Sequence, residues 1–404
     1  MGLNSTLYPV EPMCDDSPLE IVSTSEPHGE VAKASELDPS SLGFMCGLEI
    51  HQQLNTGKLH SRMPSTLFEM GIEDIPSEWK REARRLRAAE GEGGKIDVAA
   101  RFEARRNRSF VYVQSPNSGL IELDEAPPLT HDDSAIKAAL TISAMMEAKP
   151  VPVLQVMRKT VVDGSNTSGF QRTTLIATDG KIVTPSGDVG VDVVCLEEDS
   201  ARKLDTQSSD SGEIVIYTLD RLGVPLVEIA TAPEVQTPEH AKETALALGT
   251  LLRDTRMVRR GLGSIRQDLN VSIACGDRVE IKGCQDLDWI PRIIRLEMAR
   301  QLHMYRLANQ LREEAGLPPL PSDRRDDQIP VENRVAKAVE NRIPMHIHDV
   351  TAIFDGCTST MVERALAQGS QVKATILPGF AGKIGTKDLD EEGSQLPRLG
   401  RELA

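Results

Sequence analysis

GLGSIRQDLNVSIACGDRVEIKGCQDL, Gly261 to Leu287, is the most informative stretch of this 404-residue chain. It reads as a β-hairpin in which every second side chain is charged or polar. Arg266, Asp268, Asn270 and Ser272 fall on one face of the first strand, and Leu269, Val271 and Ile273 on the other. After a turn from Ala274 to Asp277, Arg278, Glu280 and Lys282 alternate with Val279 and Ile281. Carboxylates and cations crowded on one strand face suit a surface that holds phosphates and a metal. A solvated face laced with cross-strand ion pairs, each contributing about 0.2–1 kcal/mol, would show the same alternation. The hairpin alone leaves both readings open.

Three further strands carry acids. In GLEIHQQL, Glu49 and His51 share a face; Glu197, Glu198 and Asp199 end the strand VVCLEED; Glu228 sits inside the apolar strand PLVEIAT. A carboxylate in so apolar a strand needs a partner, a metal or a raised pKa. A buried ion pair with Arg221 is the ordinary alternative for Glu228. His51 joined to two or three carboxylates would make an oxygen-rich set suited to Mg²⁺ or Mn²⁺ rather than structural zinc. The loop DGSNTSGFQR, Asp163 to Arg172, offers Gly164 and Gly169 for close approach of a phosphate, with Arg158, Lys159 and Arg172 to neutralise it. A plain hairpin turn would carry the same glycines. The chain has no Walker A loop, GxGxxG fingerprint, GxSxG elbow, HExxH or EF-hand, so nucleotide binding would have to rest on a sheet surface.

Composition narrows the class. Hydrophobic residues make up 39% of the chain, and mean hydropathy is −0.28. No apolar run approaches the roughly 20 residues of a membrane span. The first twenty residues lack the basic and apolar regions of a secretory leader, and six cysteines are scattered without CxxC spacing. Both point to a cytoplasmic protein with reduced thiols. A net charge of −15 disfavours non-specific nucleic-acid binding. The exception is Lys80 to Arg108, with ten cations against five acids: a solvated helical face or a local RNA-facing patch.

The expected architecture is α+β, built on antiparallel sheet. Residues 1–40, rich in Pro, Ser, Asp and Glu, read as a disordered extension. Residues 41–315 form the main domain, with helices expected over Ser77–Gly91, Ser134–Ala148, Pro238–Thr255 and Pro291–Ala315. A linker and helix follow over 316–344, then a small αβ unit over 345–404.

Taken together, GLEIHQQL, DGSNTSGFQR, CLEEDSARK, LDRLGVPLVEIATAPE and GLGSIRQDLNVSI…VEIKGCQDLD closely resemble the archaeal glutamyl-tRNA(Gln) amidotransferase E subunits (GatE) of the GatB/GatE family. The resemblance runs from about Gly43 to the C-terminus. It implies an antiparallel cradle like that of glutamine synthetase and guanido kinases. It also implies ATP- and Mg²⁺-dependent conversion of Glu-tRNA(Gln) to Gln-tRNA(Gln) through a γ-glutamyl phosphate. Ammonia would come from a GatD-type glutaminase partner, in a dimer of heterodimers. On this resemblance His51, Glu198 and Glu228 are metal ligands. Arg158, Lys159, Ser165, Asn166, Arg172 and Arg266 bind the nucleotide, and Glu49, Glu197, Asp268, Glu280 and Lys282 are catalytic.

Two departures stand out. Ser61 and Met63 occupy positions where the family tends to have cysteine, so no thiolate metal site is expected there. The unit from about His346 resembles the start of the insertion domain of bacterial-type aspartyl-tRNA synthetases, and RLGRELA falls inside it. A non-catalytic scaffold that binds the D subunit or tRNA is therefore the competing expectation.

Overall fold

Met45–Gln53 alternates as expected and forms strand β1, and the two halves of the Gly261–Leu287 hairpin pair directly beside it. The computed structural model describes residues 34–85, 94–96, 98–106, 108–209, 212–314, 316–325 and 347–376. After β1 come β2 (Arg81–Arg85), α1 (Val98–Arg105), β3 (Arg108–Val113), α2 (Asp133–Met145), β4 (Lys149–Pro150) and β5 (Val156–Thr160). Then follow β6 (Phe170–Ile182), β7 (Val189–Glu198), β8 (Arg202–Ser209), β9 (Gly212–Thr218) and β10 (Pro225–Thr231). Helix α3 (Pro238–Asp254), β11 (Ile265–Ser272), β12 (Val279–Ile281) and α4 (Ile290–Glu314) complete the main body. A separate pair, β13 (His348–Asp349) and β14 (Lys373–Ala374), flanks α5 (Thr360–Ala367).

The large sheet has eight strands in the order β12-β11-β1-β10-β7-β6-β4, with β5 also on β6, and all its pairs are antiparallel. A four-stranded sheet, β2-β3-β9-β8, has one parallel pair, β3 with β9. The fold is α+β. Helices cover one face of the large sheet. Ile50, Leu196 and Ile229 pack on Ala135, Ala139 and Ile142 of α2 and on Leu248 and Leu252 of α3. Leu48, Leu269 and Val271 pack on Ile290, Ile294 and Met298 of α4. Two capped starts fix these helices: Asp132 accepts from the Ala135 N–H, and Thr237 accepts from the His240 N–H with Pro238 in the first turn. Because side chains alternate across each strand, filling one face with aliphatics leaves the acids on the other.

Three expectations change. The helix over Ser77–Gly91 is not formed where it is described: Arg81–Arg85 is a strand, Arg84 opposite Phe110. Arg and Glu favour helix, but β3 has an edge whose backbone groups need partners, and that ladder outweighs propensity. Order begins before Gly43, since Ala34 and Leu37 are buried against the α4 core. Residues 316–325 are held rather than free: the Leu320 N–H donates to Asn309 Oδ1 and the Arg324 N–H to the Ala274 carbonyl. Residues 1–33, the helix expected within 331–344, and the tail from 377 lie outside the described residues.

Candidate active site

Register gathers the acids. His51 lies opposite Glu228 on one side and Arg266 on the other, Glu49 lies opposite Asp268, and Glu228 lies opposite Cys195. Directly opposed residues point to the same face, so Glu49, His51, Glu197, Glu228, Arg266, Asp268 and Glu280 all project from the face that α2, α3 and α4 leave uncovered. Glu49, His51 and Glu228 each offer one ligand atom, and these atoms lie within 4.8 Å of one another. His51 Nε2 is 3.1 Å from Glu49 Oε1, and its Nδ1 is 3.5 Å from Glu197 Oε2. Lys159 Nζ comes within 3.6 Å of Glu197 Oε1, which also accepts from Thr173 Oγ1 at 2.8 Å.

Three carboxylates this close cannot all be ionised without a cation. Burial, and then the hydrogen bond with Glu197, pushes the Glu228 carboxyl up to about 8. Burial also works against ionised Glu197, but hydrogen bonds with His51 and Glu228, together with Lys159, hold it down at about 2. Burial opposes the His51 proton too. Hydrogen bonds with Glu197 and Glu49 more than offset it and raise the imidazole to about 9. The cluster thus holds protons where a divalent cation would place charge. Two carboxylates and an imidazole are a donor set that fits Mg²⁺ or Mn²⁺.

Around this centre the polar face is tied together. Asp199 accepts from Arg266 at 2.7 Å and from Gln53 Nε2 at 2.7 Å, and lies 3.5 Å from Arg221. Arg221 is therefore the partner of Asp199, not of Glu228. At the hairpin edge Lys282 Nζ bridges Glu280 (2.5 Å) and Asp268 (3.3 Å), and Asp268 accepts from the Gly283 N–H.

The ligand set His51, Glu198 and Glu228 is corrected by this geometry. Glu198 follows Glu197 in the strand and so points to the opposite face, where it pairs with Arg172 at 2.9 Å. The second carboxylate within reach of both His51 and Glu228 on the cluster's face is that of Glu49. Arg158 and Arg172 are also on the far face, with guanidinium carbons 4.9 and 5.3 Å from the Phe170 ring centroid, so they do not line the acidic cluster. Ser165 and Asn166 hold their own loop. The Ser165 hydroxyl donates to Asp163 Oδ1, and Asn166 Oδ1 accepts from Ser200 Oγ. Asp199, one of the three acids ending its strand, joins the face, and so do Gln53 and Thr173, which no motif marks. The signal for Gln53 is its place two residues beyond His51, in the alternation that already carries Glu49.

Residues 44–365 match the GatB/GatE catalytic domain, and the chain belongs to that family. It is 44% identical over 370 residues to the glutamyl-tRNA(Gln) amidotransferase E subunit of Pyrococcus furiosus, covering 91% of this chain and 53% of that protein. Against the E subunit of Methanocaldococcus jannaschii it is 44% identical over 372 residues, again covering 91% and 53%. Against that of Aeropyrum pernix it is 41% identical over 373 residues, covering 92% of this chain and 52% of the relative. The chain spans about half the length of the curated relatives it matches. No helix among the described residues is long and apolar enough to cross a membrane.

Proposed function

We propose that this chain carries the kinase and transamidase centre of a cytoplasmic tRNA-dependent amidotransferase, converting Glu-tRNA(Gln) to Gln-tRNA(Gln). The observation that carries this reading is the Glu49–His51–Glu228 cluster on the uncovered face of an antiparallel sheet in a GatB/GatE chain. We read that sheet, with helices behind it, as a cradle of the type of glutamine synthetase and guanido kinases.

The γ-carboxylate of the tRNA-borne glutamate attacks the γ-phosphorus of ATP, and the bond to ADP breaks. Ammonia, supplied by a GatD-type glutaminase partner, then attacks the acyl carbon, and phosphate leaves with the bonding pair. Phosphoryl transfer asks for positioning and charge neutralisation more than for a covalent nucleophile. Glu49, His51 and Glu228 would hold Mg²⁺, which when bound supplies positive charge for the phosphates. Glu197 orients the imidazole through Nδ1 and keeps Lys159 over the face. Lys282, pinned by Glu280 and Asp268, and Arg266, pinned by Asp199, supply cations toward the hairpin side of the same face.

The test is ATP-dependent formation of Gln-tRNA(Gln) from Glu-tRNA(Gln) with Mg²⁺ and ammonium as nitrogen source, which bypasses the glutaminase. Wild type should turn over and Glu228→Ala should not. Turnover unaffected by Glu228→Ala would end this assignment of the centre.

A further inference from the structure

The loop between α3 and β11, TRMVRRGLG from Thr255 to Gly263, is built to hold side chains outward. Arg256, Gly261 and Gly263 have φ of +57°, +110° and +80°, and Leu262 between the two glycines is 96% exposed. Beside it opens a cleft of about 820 Å³ lined by Arg202, Arg221, Arg256, Arg259 and Arg260, with Glu69 and Asp220 as its acids. In a chain of net charge −15 such a concentration of arginine needs a reason.

Three of the five hold the cleft's shape. Arg202 donates to the Phe68 and Met70 carbonyls, Arg221 to those of Ser200 and Ala201, and Arg259 to those of Leu54 and Ser65. Arg256 and Arg260 are exposed and have no ion-pair partner among the described residues. Gln53 lines the cleft, and His51 precedes it by two residues on the same strand face, a separation of roughly 7 Å. The cleft therefore opens beside the acidic cluster.

We propose that this cleft is the entry for the phosphate backbone of an RNA end, with Arg256 and Arg260 on the phosphates and Leu262 against an unstacked base. Two exposed guanidinium groups without acid partners beside an open cleft suit the phosphodiesters of a strand, and the exposed Leu262 side chain offers apolar contact to a base. In the other candidate for an RNA-facing surface, the basic stretch Lys80 to Arg108, three of the cations are already engaged by acids. Arg84 pairs with Glu125 at 3.1 Å, Arg106 with Glu103 at 3.5 Å, and Arg108 with Glu103 and Glu213. The proposal rests on the amidotransferase reading for the identity of the RNA, but its test reads binding apart from turnover.

The probes are a tRNA acceptor-stem minihelix and, separately, ATP with Mg²⁺, titrated against the full chain at several salt concentrations. Arg256→Glu/Arg260→Glu should weaken minihelix binding by about tenfold or more and make its salt dependence shallower by about 1–2 in log–log slope. ATP affinity and the melting temperature should be unchanged, and Arg84→Glu/Arg85→Glu should bind RNA like wild type. The proposal is overturned if wild type does not bind the minihelix at low salt, if the cleft variant binds it normally, or if the β2 variant carries the loss. Weakened ATP binding with normal RNA binding would assign the cleft to the nucleotide's phosphates instead. If the cleft variant behaves as stated but no Gln-tRNA(Gln) is made, the amidotransferase reading fails and the RNA cleft stands.

Discussion

Glu197 and Glu198 are consecutive residues at the end of β7, yet their carboxylates lie on opposite faces of the sheet and share no partner: Glu197 meets His51 and Lys159, Glu198 meets Arg172. The two should therefore fail differently when altered. Glu197→Gln should weaken Mg²⁺ binding and depress phosphoryl transfer by about 100-fold or more, the usual cost of removing a charged group that shapes a transition-state site. Glu198→Ala should leave Mg²⁺ affinity intact but destabilise the fold by about 3–5 kcal/mol, because Arg172 loses its buried partner. Calorimetric titration of Mg²⁺ and urea unfolding separate the two. Loss of Mg²⁺ binding in the Glu198 variant would contradict the division of faces.

The same cluster makes stability depend on pH in a stated direction. Glu228 and His51 hold protons more tightly folded than unfolded, at about 8 and about 9 against ordinary values of 4.5 and 6.5. Their contribution is complete below the ordinary values and is lost as pH rises through the folded ones. Glu197, held at about 2, contributes above its ordinary 4.5 and loses that contribution only toward acid. The melting temperature without divalent cations should thus fall between about pH 6 and pH 9, and Mg²⁺ should restore it most at the alkaline end, where the ligands are free of protons. Glu228→Gln should flatten the lower part of the decline. A melting temperature that rises over this range would rule out the proton-sharing cluster.

Lys58 is fully buried and faces Glu122 at 3.4 Å, with its ammonium also donating to the Leu219 carbonyl. Lys58→Ala should cost about 3–5 kcal/mol, because it strands a buried carboxylate. Replacing the pair together, Lys58→Met with Glu122→Gln, should recover most of that loss in urea unfolding. If the double variant is no better than the single one, the Lys58–Glu122 contact is not the source of the penalty.

Gly164 has a φ of +85°, and a Cβ there would come 2.4 Å from the Phe110 ring. Its carbonyl accepts from Tyr112 Oη at 2.7 Å, locking the Asp163–Arg172 loop to the four-stranded sheet. Gly164→Ala should destabilise the protein by more than about 1 kcal/mol, whereas Gly169→Ala, with open space around it, should pay only for its backbone conformation. Equal melting temperatures for the two variants would contradict this close approach.

The residues legible in the sequence are those whose meaning depends on alternation within one strand. A period of two places Glu49 with His51, and Arg266 with Asp268, on common faces, and spacing and capping signals place the helices at 133–145, 238–254 and 290–314. What alternation cannot supply is the register between strands, and that decides which of Glu197 and Glu198 meets His51. The same gap puts Arg158 and Arg172 with the acidic cluster when the sheet carries them on its other side. Arg81–Arg85 shows a different limit. Its composition favours helix, and only the distant edge of β3 makes it a strand.

Phosphoryl transfer at the Glu49–His51–Glu228 centre is open to a direct measurement. The measurement is release of labelled phosphate from γ-labelled ATP, with Mg²⁺ and Glu-tRNA(Gln), by wild type and by Glu228→Gln. Release should require the charged tRNA and fall by about 100-fold or more in the variant. No release from wild type under these conditions, or equal release from the variant, would contradict transfer at this centre.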